Sequence, residues 1–272
     1  MTKTILKWAG NKSKIMPKIV ERFPKGYNRY LEPFAGSLGS YLHADVSCEA
    51  HLNDLNEEIL NLFECVRDDY EKVVLMANKI EKSKENYYVV RNQDRTDGWL
   101  LEDRFVRAAR TVYLNKTCFN GLYRVNKQGF SNVPYGSGRK GDVLPLKDAA
   151  AFSQAVQNVH FSCKDYLSFL QMAKSGDLIY MDPPYVDVKE PLKEFNGYVG
   201  GFGWTQQEEL VKECQRLQSI GCKVVVSNSH CDATMKLYGD AGFDISLVEA
   251  PRYISCKKDG RKPVTEIVAT LF

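Results

Sequence analysis

The chain has 272 residues, 44% of them hydrophobic, and a net charge of +3, which suits one large globular domain or one carrying a sizeable insertion. No stretch approaches the ~20 apolar residues needed to cross a bilayer, and the first residues lack an apolar signal run, so the expectation is a cytoplasmic protein, neither secreted nor membrane-spanning. Eight cysteines without a C-x-x-C pair and four scattered histidines argue for reduced thiols and against a metal site.

In chain order, a helical pattern at 13–22 precedes an apolar strand at 29–32, a small-residue turn, a second helical pattern at 37–44 and a strand at 50–53. Asn56 then caps a helix that turns Ile59, Leu62, Phe63 and Val66 inward. Charged helical stretches follow, and after them a Gly/Asn/Pro-rich segment at 120–141, where Gln128-Gly129 marks a hairpin turn. Further strands are expected at 159–163, 177–181, 222–227 and 264–271. Between them lie helices at 205–219, opened by a capping box Thr205-x-x-Glu208, and at 232–241. Cys163 and Cys222 read as small core residues of β-like runs. The alternation predicts an α/β fold with a largely parallel, Rossmann-like sheet. Residues 56–147 break the rhythm and read as an inserted, mainly helical domain with a hairpin near 123–134. The catalytic domain is then discontinuous, 1–55 and 148–272.

Charge is unevenly spread. No acidic residue lies between Arg104 and Gly141, a stretch that holds Arg104, Arg107, Arg110, Lys116, Arg124, Lys127, Arg139 and Lys140 among Tyr113, Phe119, Tyr123, Phe130 and Tyr135. Basic residues interleaved with aromatics suit phosphates and bases. A second cluster, Arg252, Lys257, Lys258, Arg261 and Lys262, reads equally well as a solvated loop.

The most informative feature is Asp182-Pro183-Pro184-Tyr185, at the end of an expected strand. Asp182 and the Pro183 carbonyl can both accept from an exocyclic amine, and two prolines hold φ while offering no competing N–H. Tyr185 adds a stacking face. Upstream, the strand at 29–32 enters Gly36-Ser37-Leu38-Gly39, a turn that lets a ligand approach the backbone. About twenty residues on, Asp54 ends the next strand, where an acidic side chain binds ribose hydroxyls in a Rossmann-like layout. At the end of another strand, Asp165 can accept from an adenine amine while Tyr166 packs on the ring, although a strand-terminal Asp is more often a turn former. A nicotinamide enzyme would need G-x-G-x-x-G and a catalytic His, Lys or Tyr set, and neither is apparent.

Leu6-Lys-Trp-Ala-Gly-Asn-Lys12, Glu32-Pro-Phe-Ala-Gly36, Asp54 and Asp182-Pro-Pro-Tyr185 resemble the Dam-type (D12 class) DNA adenine-N6 methyltransferases. The resemblance extends to Tyr113-Leu-Asn-Lys-Thr-Cys-Phe-Asn-Gly-Leu-Tyr-Arg124 and Asn126-Lys-Gln-Gly-Phe-Ser-Asn-Val-Pro-Tyr-Gly136. It implies S-adenosyl-L-methionine as cofactor, held by Trp8, Ala9, Gly10, Lys12, Glu32, Phe34, Gly36, Ser37, Asp54, Asp165, Tyr166 and Asp182. It implies double-stranded DNA as partner, met by Lys7, Phe119, Asn120, Leu122, Arg124, Asn126, Asn132, Pro134 and Arg139, with an adenine in GATC as target. No metal and no obligate protein partner are expected. Two departures stand out: Leu38 occupies a place where the family's turn often has glycine, and Ser137-Gly138 stand where larger residues are common. Competing readings are a related amino-methyltransferase acting on another DNA site, RNA or cytosine N4, and a catalytically silent DNA-binding relative.

Overall fold

The computed structural model describes residues 2–136, 140–192, 201–250 and 264–272. Arg139, Ser137-Gly138 and the second basic cluster lie outside the described residues. Among the described residues, no helix is long and apolar enough to cross a membrane.

One compact unit comprises residues 12–35, 43–55 and 159–272. Its seven strands are β1 (Arg29–Glu32), β2 (Glu49–Asn53), β3 (Val159–Ser162), β4 (Leu178–Met181), β5 (Lys223–Ser229), β6 (Asp244–Ala250) and β7 (Val264–Leu271). They form one sheet in the order β3-β2-β1-β4-β5-β7-β6. β1 to β5 run parallel, whereas β7 is antiparallel to both β5 and β6. Parallel strands are covered on both faces and so read as unbroken apolar runs; all four residues of β4 are buried. On one face, Leu31, Ile179, Met181, Val224 and Val226 pack with Leu210, Val211, Cys214 and Leu217 of α7 (Trp204–Ser219) and Tyr238 of α8 (Asp232–Asp240). The strand order reverses between β1 and β4, and in open α/β sheets the crevice at the carboxyl ends of such a pair receives the ligand.

Several local expectations need correction. β6 was not foreseen, because Asp244, Ser246 and Glu249 break its apolar run, as an edge strand allows. The helix expected at 37–44 is a single 3₁₀ turn, Tyr41–His43, since Leu38 takes φ +61, in the left-handed region that an α-helix excludes. The helix expected at 13–22 is α1, only Met16–Val20. α7 is opened by Gly203, whose N–H donates to Gln206 Oε1 at 2.9 Å, while Glu208 accepts from Trp204 Nε1; the capping box is therefore not at Thr205. Cys222 is buried, but Cys163 lies just past β3 and is exposed.

The second compact unit gathers 56–158 with 1–11 and 36–42. Its helices are α2 (Glu57–Lys79), α3 (Lys84–Asn92), α4 (Arg104–Thr117) and α5 (Leu146–Ala155). Asn56 Oδ1 accepts from Ile59 N, and Ile59, Leu62, Phe63 and Val66 are buried as the spacing predicts. The unit continues past residue 147 because Phe152 of α5 packs on Phe63 of α2, ring centroids 5.4 Å apart. A turn near 128–129 is closed by Asn126 N donating to Phe130 O and by a bridge between Val125 and Ser131.

Candidate functional site

Asp182 follows the last residue of β4, and its chemistry is set by three side chains of the same compact unit. Lys12, buried to 5% exposure, places Nζ 3.2 Å from Asp182 Oδ1 and 3.4 Å from Glu266 Oε2. Tyr185 donates its hydroxyl to Glu266 Oε2 at 2.8 Å, and Lys12 Nζ stands 4.2 Å from the Tyr185 ring centroid. Oδ1 of Asp182 is buried with the Lys12 ammonium 3.2 Å away.

The charges in this cluster are tightly coupled. Burial pushes the Asp182 carboxyl up to about 6; Lys12 opposes the rise and Glu266 adds to it. For Lys12, burial alone would lower the pKa, but Asp182 and Glu266 together hold the ammonium above its ordinary value. Burial, then the two carboxylates, raises Tyr185 well above the usual phenol, which keeps its hydroxyl a donor.

Around the carboxyl ends of β1 and β3, Phe34, Tyr166 and Phe202 form an aromatic cluster with centroids 5.3 to 5.9 Å apart. The Tyr166 hydroxyl is buried without a hydrogen-bond partner among the described residues. Asn53 ties three strand ends together, donating to Pro33 O and Lys164 O and accepting from Lys164 N and Ser162 Oγ. That fixes the half-buried Asp54, next in the chain. Asp165 is exposed and its carboxylate accepts from Leu167 N and Ser168 N, capping α6 (Tyr166–Leu170). Glu32 is buried and accepts from Tyr30 Oη at 2.8 Å.

In the other unit, Gly36 has φ +48, and a Cβ there would lie 2.9 Å from Trp8 Nε1. Asn11 donates to Ser37 Oγ, and the next turn residue, Leu38, is buried in its left-handed conformation. Ala9 and Gly10 are exposed. Trp8 packs on Tyr123 at 5.6 Å.

The expected recognition residues are held by a second set of contacts. Asn115 accepts from Lys7 N and donates to Lys7 O and Gly121 O, drawing Lys7 against Asn120-Gly121-Leu122. Phe119 N donates to Pro134 O. Arg124 is exposed, with Nε and Nη2 donating to the side chain and backbone carbonyls of Asn132 at 2.6 and 3.2 Å. Asn126 Oδ1 accepts from Gln128 N and Phe130 N and so serves the turn. Phe119 remains 44% exposed. The basic stretch is less available than its sequence suggests: Arg107 is buried against Glu57 and Glu58, Arg110 against Asp94, and Arg104 pairs with Asp68.

Sequence reading missed Glu266, whose signal was one acid inside an otherwise apolar strand. It also set the histidines apart. His51 and His160 are register partners on β2 and β3, their rings stacked at 4.7 Å, and with Glu49 their ligand atoms lie within 4.8 Å, a donor set able to hold a metal ion.

The family model for D12 class N6 adenine-specific DNA methyltransferase matches residues 8–254. The chain is 33% identical over 269 residues to the Type II methyltransferase M1.LlaDCHI of Lactococcus lactis subsp. cremoris, covering 97% of this chain and 93% of the relative. It is 33% identical to the Type II methyltransferase M.MjaIII of Methanocaldococcus jannaschii, covering 96% and 95%. It is 30% identical to the DNA adenine methylase of Salmonella typhi, covering 98% and 94%.

Proposed function

The chain belongs to the D12 class N6 adenine-specific DNA methyltransferases, and we propose that it methylates an adenine flipped out of duplex DNA, in the sequence GATC. Its cofactor, S-adenosylmethionine, supplies an already activated methyl group, so the protein's task is chiefly alignment. The residues fit such a ligand: an aromatic cluster with a buried, unbonded Tyr166 hydroxyl beside strand ends that carry Asp54 and Asp165. In this reading Lys12, Phe34, Asp54 and Tyr166, all of the sheet-bearing unit, hold the cofactor.

The observation that carries the reading is the buried Asp182 carboxylate oxygen beside the Lys12 ammonium at the end of β4, followed by two residues without N–H groups. Adenine N6 is a poor nucleophile because its lone pair is delocalised into the ring. Acceptance of both its N–H bonds by Asp182 and the Pro183 carbonyl favours a tetrahedral nitrogen and stabilises the positive charge that develops there. Flipping the base costs about a few kcal/mol, partly offset by stacking on the Tyr185 face away from Lys12. Phe119 or Tyr123, both exposed, fills the gap left in the duplex, and Arg124 grips guanine O6 and N7. GATC rests on the Asn120-Gly-Leu-Tyr-Arg124 segment.

The test is transfer of labelled methyl groups to random-sequence duplex DNA, followed by sequencing of the modified bases. N6-methyladenine confined to GATC is expected. Label on adenine in another sequence would remove the site assignment alone, and label on cytosine N4 or on single strands only would remove the substrate reading.

A further inference from the structure

β4 makes its last sheet pairing at Met181, opposite Val226. Beyond it, residues 182–186 leave the sheet through two prolines, whose backbones offer carbonyl oxygens and no N–H. Two carbonyl oxygens of the loop, on either side of Tyr185, are taken by side chains. Gln207 of α7, fully buried, donates Nε2 to Pro184 O at 2.9 Å. Ser229 of β5 donates Oγ to Val186 O at 3.0 Å.

The direction of the Gln207 amide is fixed by its other neighbours. Asn228, also fully buried, spends its Oδ1 on Ser229 N at 2.8 Å, so its NH₂ faces Gln207 Oε1 at 2.9 Å and Tyr238 Oη at 3.3 Å. With Oε1 accepting, only the Gln207 NH₂ remains to face Pro184. Ser229 belongs to the same chain of bonds through its N–H, which Asn228 Oδ1 accepts, and its backbone carbonyl accepts from Thr234 Oγ1 at 2.7 Å. A peptide unit is planar, so holding the Pro184 carbonyl holds the plane that leads into Tyr185.

We infer that Gln207 is a positioning residue for methyl transfer, acting with Asn228 and Ser229 as a buried clamp that sets how the Asp182 to Tyr185 loop presents its acceptors and its ring. This rests on the role proposed above for that loop. Gln207 and Asn228 are fully buried and Ser229 nearly so, so loss of the clamp should change the rate of the methyl-transfer step and leave binding alone.

The experiment measures single-turnover methylation of duplex DNA, cofactor and DNA affinities, and thermal stability for Gln207→Met, Gln207→Glu and Ser229→Ala. Gln207→Met keeps length but has no N–H. It is expected to lower the single-turnover rate at least tenfold, with both affinities within about threefold of wild type. In Gln207→Glu a protonated carboxyl regains an O–H for Pro184, so its rate relative to Gln207→Met should rise as pH falls from about 8 to 6, which a purely structural role would not produce. A folded Gln207→Met with a rate within threefold of wild type would overturn the inference, as would a rate loss matched by equal loss of DNA affinity. If Gln207→Met does not fold, Ser229→Ala decides, a three- to tenfold rate loss supporting the clamp and an unchanged rate overturning it. Asp182→Ala run alongside separates the failures: full activity there would sink the loop's proposed role and the clamp with it, whereas an inactive Asp182→Ala beside an unchanged Gln207→Met would sink the clamp alone.

Discussion

The acid limb of the pH profile should belong to Asp182 and should move in opposite directions when its two charged neighbours are removed. Its carboxyl is raised from 3.8 to about 6, roughly 3 kcal/mol against the ionised form. Protonation turns one carboxyl oxygen into a donor and removes the negative charge that stabilises the charge developing on N6. Activity is therefore full above the raised pKa and lost as pH falls through it, down roughly tenfold at pH 5. Glu266→Gln removes a negative charge that pushes the pKa up, while the amide oxygen can still accept from Tyr185, so the limb should shift to lower pH. Lys12→Met removes the charge that pulls the pKa down, so the limb should shift to higher pH. The assay is methyl transfer to duplex DNA from pH 5 to 8, with cofactor and DNA both limiting, so that kcat/KM reports the free enzyme. A limb that stays in place in both variants, or moves the same way in both, would refute the assignment to Asp182.

Gly36→Ala forces a left-handed φ on a residue with a Cβ and drives that atom toward Trp8, at a cost of about 1–2 kcal/mol; a melting temperature and cofactor affinity equal to wild type would show that the turn relaxes freely. Asp54→Ala should weaken cofactor binding about tenfold, the loss of roughly 1.4 kcal/mol of ribose hydrogen bonding, and an unchanged calorimetric titration would remove Asp54 from the site. Arg124→Ala should relax selectivity at one base pair by about 1–3 kcal/mol if the guanidinium reads guanine, measured as methylation rates on duplexes substituted one pair at a time. A uniform loss across substitutions, with a salt slope smaller by about one charge, would assign Arg124 to phosphate instead.

How much of this was legible in the sequence depends on how far apart the partners lie. β4 and the Val224–Val226 run of β5 could be read because strand segments covered on both faces are apolar without a break, and Asp182 to Tyr185 could be read because acceptors and rigid backbone sit in one tetrapeptide. β6 could not, since an edge strand need not look buried, nor could the 3₁₀ turn at 41–43, which hangs on the backbone of Leu38. Charge density along the chain overstated the DNA-facing surface, because Arg107 and Arg110 sit on the buried face of α4 and are neutralised there.

The partners of Asp182 and its loop were hidden for a different reason: pairing register is not written locally. Glu266 reaches the site because β7 runs antiparallel to β5 with Glu266 opposite Ser229, and His51 meets His160 only because β2 and β3 align in parallel. Yet each hidden residue left a trace. Glu266 interrupts Val-Thr-Glu-Ile-Val-Ala, Asn228 ends the run Val-Val-Val-Ser-Asn, and Gln207 lies among positions that α7 buries. A polar group in such a place costs about 1–3 kcal/mol unless it is bonded, so its presence asks what it holds. In this chain the answer is the same each time: Glu266 holds Lys12 and Tyr185, Gln207 holds Pro184, and Asn228 holds Gln207. These three polar groups thus converge on the Asp182 to Tyr185 segment, the one for which a fixed relation of two acceptors and one ring is proposed, as a reaction limited by alignment would require.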